Sequence, residues 1–270
     1  CDFISSVDTP AIWELNIWYH TLNCGYRAVI SGETDFPCIY GDKVGLGRVY
    51  VKLDEDKPLN FDNWILGVKD GRSYCGDGRS HIFDLKVNDV ELGTKGHGGV
   101  LSQVNLDKPG KVKVTFDVAA LIKEKPTPET ERIRNSRLDQ KPYWHIERAR
   151  VDKSRKVPVE VIVNGYPAAY REIIADGKTQ TLSLDVDIKH SSWIAVRILP
   201  SAHTNPIYVH VGDAPIRASR RSAEWCRKAV DICWNSKKGR IREEEQKEAK
   251  AAYDRAAKTY EEIFKASLTD

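Results

Sequence analysis

Hydrophobic and polar residues alternate through much of the chain after residue 80. Apolar side chains occupy every second position in five short runs, at 112–118, 157–163, 182–188, 194–198 and 207–211. Successive side chains of a β-strand point to opposite faces, so a period of two indicates strands with one buried face. Turn signals such as Asn164-Gly165 and Asp176-Gly177 separate the runs. The pattern therefore predicts an antiparallel β-sandwich over residues 80–215.

Residues 1–79 follow a different period. Between Pro10 and Cys24 the apolar side chains recur about every 3.6 residues, which predicts a helix that ends at Gly25. The side chains expected on its buried face are Ile12, Leu15, Tyr19 and Leu22. A short strand at Val29 and Ile30 follows, and Asn60 is placed to cap a second helix. This alternation of helix and strand is typical of an α/β layer, so residues 1–79 are predicted to form a separate α/β unit.

The last part of the chain, residues 216–270, has helical periodicity again. One apolar face contains Cys226 and Cys233, and Gly239 separates it from a second stripe that ends near Ile263. The pattern predicts an antiparallel helical hairpin. Cys226 and Cys233 would lie two turns apart on one helix, about 10 Å, which is too far for a disulfide between them.

Composition narrows the classes of function. The chain has 270 residues, and its 42 Lys and Arg nearly balance its 39 Asp and Glu, so a net charge of +3 gives little support to a nucleic-acid partner. No apolar run approaches the roughly 18 residues of a membrane span, and no signal peptide is evident, so the pattern predicts no membrane association and no particular compartment. The chain begins with Cys and contains no Met. We expect it to be a piece of a longer protein whose missing portion lies on the N-terminal side.

Candidate chemistry concentrates directly after the strand at Val29 and Ile30. Ser31-Gly32 ends this strand, and the carboxylates Glu33 and Asp35 follow at once. Loops at the carboxyl ends of parallel strands form the ligand face of α/β folds, which makes these carboxylates candidates for metal binding or acid/base work. Gly, Asp, Thr and Pro also favour turns, so a solvated turn is the alternative interpretation.

The isolated histidines carry weaker signals. His20 lies near the end of the first predicted helix, where a single His is more often structural than a ligand. His145 and Glu147 would share one face of a strand and could hold a metal, although two ligands do not make a site. The polar, proline-bearing stretch between Lys123 and Lys141 is predicted to be a long exposed loop.

The order of motifs in residues 1–79 resembles a known family. A helix ending in Leu22-Asn23-Cys24-Gly25 precedes a strand, then Ser31-Gly32-Glu33-Thr34-Asp35, then Gly45-Leu46-Gly47-Arg48-Val49-Tyr50-Val51 and Gly71-Arg72. This order resembles the last part of the catalytic domain in metallohydrolases of the PHP superfamily, and most of all the CehA/McbA-type family. Residues 80–270 resemble the extension of long bacterial members. The resemblance implies the C-terminal part of a distorted α/β barrel, followed by the β-sandwich and the helical hairpin.

The resemblance also implies an activity and a metal site. Members of the family hold divalent metals, such as zinc, manganese or iron, at the open end of the barrel and activate water to hydrolyse ester or phosphoester bonds. The family's final metal-binding motif falls on Gly32, Thr34 and Asp35, with Glu33 inserted before Thr34. Asp35 is therefore the expected ligand, and Glu33 is the alternative. Pro37 stands where many members have His, which leaves the number of metals open.

Two further expectations follow from the same resemblance. Arg48 or His20 would help to position a small-molecule substrate. None of the seven histidines forms the family's His-x-His motif, in agreement with a missing N-terminal portion that would be the partner of this chain. A catalytic metal needs about three protein ligands and an open position, so the chain alone is expected to be inactive and to bind metal weakly.

Two other classes of function stay open. The β-sandwich could be a binding module that recognises a carbohydrate or protein surface through exposed aromatic side chains, for which Tyr143, Trp144 and Trp193 are the candidates. Alternatively, the extension could be structural, with the terminal helices stabilising the enzyme or joining copies into a homo-oligomer. A His-x-His in the upstream part of the gene would favour the hydrolase over both.

Overall fold

Strands predominate in the computed structural model, which describes residues 3–38 and 44–270. In chain order the strands are β1 (Phe3–Ser6), β2 (Val29–Gly32), β3 (Arg48–Val51), β4 (Ser73–Gly76), β5 (Ser80–Val87), β6 (Val90–Glu91), β7 (Gln103–Leu106), β8 (Gly110–Ala120), β9 (Lys156–Val163), β10 (Tyr166–Ile174), β11 (Gln180–Ile188), β12 (Ser192–Ile198), β13 (Ala202–Thr204) and β14 (Ile207–Val211). The helices are α1 (Ala11–Asn23), α2 (Phe61–Lys69), α3 (Pro128–Asn135), α4 (Arg220–Lys237) and α5 (Glu243–Ala266).

The strands form three sheets. An eight-stranded sheet runs in the order β10-β9-β12-β13-β4-β3, with β14 paired to β12 and β7 paired to β14. A four-stranded sheet has the order β11-β8-β5-β6, and β1 and β2 form a separate parallel pair. The structure is thus mixed α/β, with mostly antiparallel sheets and C-terminal helices. No sheet among the described residues closes into a barrel.

The larger sheet and the four-stranded sheet share one hydrophobic core. Buried side chains from β5, β8 and β11 pack with those from β9, β12 and β14. The strands predicted from the five alternating runs are confirmed as β8, β9, β11, β12 and β14. One pairing departs from the antiparallel prediction, because β7 lies parallel to β14. Strand pairing is set by contacts distant in sequence, which alternation within one run does not report.

The predicted boundary after residue 79 is crossed by strand pairing. β3 pairs with β4, and β4 pairs with β13, so strands from both sides of the boundary belong to one sheet. Asn205 adds a side-chain link, since its amide accepts from the Ile30 N–H at 2.7 Å and donates to the hydroxyl and carbonyl oxygens of Ser73.

A buried polar network also joins α1 to the larger sheet. Arg197 donates to Glu160 at 2.7 Å and to the Tyr19 hydroxyl at 3.0 Å. The Nδ1–H of His203 donates to the Thr204 carbonyl at 2.7 Å, so its Nε2 accepts from the Tyr19 hydroxyl at 2.6 Å. Each group in this network has a partner, as buried polar groups require.

This network should make folding stability depend on pH. Burial, and then the nearby Arg197, lower the pKa of His203 to about 3, whereas an unfolded His titrates near 6.5. The folded protein binds that proton more weakly, so the stabilisation is complete above about pH 6.5 and is lost as the pH falls, by up to about 1.4 kcal/mol per pH unit.

The measurement is urea unfolding of the native chain and of His203→Gln between about pH 7 and pH 5. The free-energy difference between the two proteins should shrink as the pH falls. His145, whose pKa is also lowered, is present in both and cancels. A difference that does not change with pH would contradict this assignment.

The C-terminal helices form the predicted hairpin. Ile263 of α5 packs with Ala223 and Cys226 of α4, and the same cluster includes Cys24 at the end of α1. The Sγ atoms of Cys24 and Cys226 are 3.9 Å apart. Ser219 caps α4 by accepting from the Ser222 N–H. No described helix is long and apolar enough to cross a membrane.

One local prediction is wrong in part and another is wrong. On α1, Leu15 and Leu22 are buried as predicted, but Ile12 is 44% exposed. Glu14 and Trp18 lie on the buried face as well, where the Trp18 ring packs against Trp193 of β12. The stretch predicted as a long loop contains α3. Thr127 caps α3 and Pro128 occupies its first turn, positions that suit these residue types.

Candidate functional site

A cleft of about 1190 Å³ opens beside the ends of β1, β2 and β8. Its wall continues through α3 and through residues 141–147. The charged and titratable side chains that line it are Asp8, Arg48, Asp77, Arg79, His81, Lys123, Glu129, Arg132, Lys141, His145, Glu147 and Arg155. A concave site of this size with several convergent polar groups is the natural place to look for ligand binding.

One end of the cleft is built by the parallel pair. β1 and β2 align Ser6 with Gly32, so the loops that follow both strands leave the same edge. The Glu33 N–H donates to the Ser6 carbonyl at 2.9 Å. A Cβ at Gly32 would collide with the Arg48 carbonyl. Glycine at this position therefore allows the loop that contains Glu33 and Asp35, the acidic loop, to lie against the start of β3.

The Glu14 carboxylate holds the loop that follows β1 in place. It lies in the first turn of α1, is 6% exposed and accepts five hydrogen bonds at 2.7–3.1 Å. The donors are the Ser6 hydroxyl, the Val7 N–H, the Thr9 N–H and hydroxyl, and the Trp144 Nε1–H. A single carboxylate thereby fixes the loop that carries Asp8 and one aromatic residue of the cleft wall.

Asp8 and Asp35 are close enough to interact. Burial, and then the charges of Glu14 and Asp35, raise the pKa of Asp8 to about 6. A carboxyl group in a cleft whose pKa is raised by burial and by neighbouring charges is a common feature of functional sites. Asp8, which the sequence analysis did not single out, therefore lies near Asp35 in the loops that follow β1 and β2.

The structure places the other predicted site residues as follows. Thr34 and Arg48 line the cleft, and Arg48 donates through Nε to the Gly45 carbonyl at 2.7 Å. Glu33 is half-buried, while Asp35 is exposed with a φ of 53°. His20 lies elsewhere, because its ring stacks on Trp225 with centroids 4.6 Å apart. Its Nδ1 is 2.9 Å from the hydroxyl of Ser222, also on α4.

His145 and Glu147 do not form the pair that was predicted. Residues Ile146–Ala149 form a 3-10 turn rather than a strand, so the two side chains do not share a strand face. The Glu147 carboxylate pairs with Arg150 at 2.6 Å, where the Arg150 side chain is 0% exposed. A buried guanidinium needs such a counter-ion, so the Glu147 carboxylate is engaged by Arg150.

The aromatic residues proposed as an exposed binding surface are mostly buried. Trp193 is 0% exposed and donates to Asn23, because every residue of β12 lies within the core. Trp144 is 5% exposed and is held by Glu14. Tyr143 is half-buried and lines the cleft. Exposed aromatic residues occur instead on the edge strand β10, at Tyr166 and Tyr170.

A complete metal site is not present in the part of the chain described. Residues 3–38 and 44–270 contain no group of three or more His, Cys, Asp or Glu side chains placed to hold one ion. Asp8, Glu14 and Asp35 are neighbours, but most of Glu14's acceptor capacity is already used by hydrogen bonds from the protein. These residues could offer a metal fewer than the three protein ligands that a catalytic site needs.

Comparisons with known proteins add little. No family model matches the chain, and no curated protein matches it. Crystal structures of β-glucosidase from Listeria innocua, alone and in complex with isofagomine, are similar at 12% sequence identity with a TM-score of 0.24. The match covers 69% of this chain and 22% of the β-glucosidase chain. A likeness at this level carries no argument about function.

Proposed function

We propose that this chain supplies the C-terminal part of a metal-dependent hydrolase that acts on ester or phosphoester bonds. Asp35 would be one ligand of a zinc, manganese or iron ion at the mouth of the cleft, with Glu33 as the alternative. Arg48 would contact the substrate. His20 has no part in this proposal, since Ser222 and Trp225 engage it away from the cleft.

The observation that carries the proposal is the convergence of Asp8 and Asp35 at the carboxyl edge of a parallel strand pair. Asp8 lines a cleft large enough for a small-molecule substrate, and so does Thr34, the residue before Asp35. Carboxylates in this position are suited to a hard divalent cation or to proton transfer. A carboxyl group with a raised pKa, such as Asp8, is suited to exchanging a proton near neutral pH.

The exposed side of residues 1–79 supports the proposal that a further portion of the enzyme packs against this chain. β1 and β2 pair only with each other among the described residues, although parallel sheets are usually covered on both faces. On α1, Ile12, Trp13 and Ile17 are 44%, 58% and 47% exposed. Exposed apolar side chains of this kind mark interfaces. We assign the face to the part of the enzyme that would carry the remaining metal ligands.

The test compares the product of the complete open reading frame with the 270-residue chain. With zinc, manganese or iron supplied, the complete protein should hydrolyse p-nitrophenyl acetate or bis-p-nitrophenyl phosphate. The chain alone should be inactive, and calorimetric titration should detect only weak metal binding. Tight stoichiometric binding to the chain alone, or metal-independent hydrolysis by the complete protein, would contradict the proposal.

A further inference from the structure

Basic side chains have two different roles at the far end of the cleft. Arg148, Arg150 and Arg155 stabilise the backbone, because their guanidinium groups donate to main-chain carbonyls. These bonds join the end of α3, the turn at residues 151–154 and the segment after β8. Arg150 additionally neutralises Glu147. The backbone around this end of the cleft is therefore fixed.

Arg79, Lys123 and Arg132 are used differently. All three are exposed and line the cleft, and their side chains have no hydrogen-bond or ion-pair partner within residues 3–38 and 44–270. Hydrogen bonds hold the main chain of two of them, since the Leu121 N–H donates to the Arg79 carbonyl at 3.0 Å and Arg150 donates to the Lys123 carbonyl at 2.7 Å. Three cations of one cleft thus have no ion-pair partner in the part of the chain that the structure describes.

No carboxylate of the cleft among the described residues forms an ion pair with these cations. Glu147 is committed to Arg150, and Asp77 accepts from the Arg79 and Ile146 N–H groups and the Ser201 hydroxyl. Asp8 belongs to the other end, beside Asp35. Glu129 precedes Arg132 by one turn of α3 but forms no ion pair with a described residue.

His145 adds a neutral donor at the same place. Its Nδ1 accepts from the Glu147 N–H at 3.2 Å, so the ring proton is on Nε2, for which the described residues offer no acceptor. Burial, and then the charge of the neighbouring Arg79, lower the pKa of His145 to about 4. The ring is neutral at neutral pH and keeps this tautomer.

We propose that Arg79, Lys123, Arg132 and His145 form a binding site for an oxyanion, the phosphate or carboxylate group of a small organic molecule. The adjoining wall at Leu121, Ile122 and Ile133 is apolar and would contact the organic part. The conclusion that this anion is part of the hydrolase substrate, an anionic ester, rests on the proposed function. The conclusion that the site binds an anion does not rest on it.

The test is isothermal titration calorimetry of the 270-residue chain at low salt with excess chelator. Phenyl phosphate and benzoate are the two anionic probes, and phenol is the neutral one. Binding of either anion with little or no binding of phenol is expected, and the tighter anion identifies the preferred group. Because charge-assisted hydrogen bonds are among the stronger ones, Arg79→Gln and Arg132→Gln should each raise the Kd about tenfold.

Arg171→Gln is the matched control, because Arg171 is exposed on β10 and outside the cleft. It should bind both anions as the native chain does. Unchanged affinity in both cleft variants, equal weakening in the control, or phenol binding as tight as that of the anions would each overturn the inference. Since no metal or turnover is involved, a chain without hydrolytic function would still give the expected result.

Discussion

If the proposed function holds, Asp35→Asn should lower the activity of the complete, metal-loaded protein by at least about 100-fold, since even the loss of a group that only orients a metal ligand commonly costs 10- to 100-fold. The substitution keeps the size of the side chain but removes its negative charge. The metal would then hold a weaker neutral oxygen, and the pKa of its bound water would rise. Steady-state hydrolysis and metal content per protein are the two measurements.

The conformation of Asp35 makes this variant a clean one. Its φ of 53° lies in the left-handed region, which Asn adopts at least as readily as Asp. Its side chain is exposed, so the melting temperature should stay nearly constant. A loss of activity would then be a loss of chemistry rather than of folding.

Glu33→Gln is the internal control for the alignment of the motif. Glu33 is half-buried and is anchored through its N–H to Ser6, whereas Asp35 is exposed beside Asp8. If Glu33→Gln abolished activity and metal content while Asp35→Asn kept both, Glu33 would be the ligand. If neither variant changed either quantity, the acidic loop would be only a turn.

The strands of the two-sheet core could be predicted because each run reports its own environment. Alternation from Val112 to Val118 reflects one face against the core and one against water. β12 shows the limit of this argument, since all of its residues are buried. Its alternation did not indicate that Trp193 on the second face would also be covered, here by α1.

The candidate site was only half predictable for a similar reason. The acidic loop at Glu33 and Asp35 follows a strand whose β-branched residues mark it clearly. β1 has only four residues, with Ser5 and Ser6 at its end, and too few apolar positions to show a period. Its parallel pairing with β2, which brings Asp8 to the same edge, depends on contacts between segments about 26 residues apart.

Glu14→Ala should destabilise the chain by about 3–5 kcal/mol, the typical effect of removing one partner from a buried charged network. The variant would leave the N–H groups of Val7 and Thr9 and the indole N–H of Trp144 without their acceptor. It would also remove a negative charge from the first turn of α1, where the helix dipole favours one. Urea unfolding at neutral pH measures the loss.

Glu224→Ala supplies the comparison, because Glu224 is a helical glutamate of α4 whose side chain is 49% exposed and pairs with Lys228. Removing an exposed pair of this kind should cost less than about 1 kcal/mol. Glu14→Gln should fall between the two, since it keeps one carbonyl acceptor but turns an NH₂ group towards donors. If Glu14→Ala cost no more than Glu224→Ala, the five hydrogen bonds would not hold the loop after β1. The position of Asp8 at the mouth of the cleft would then depend on the pairing of β1 with β2 alone.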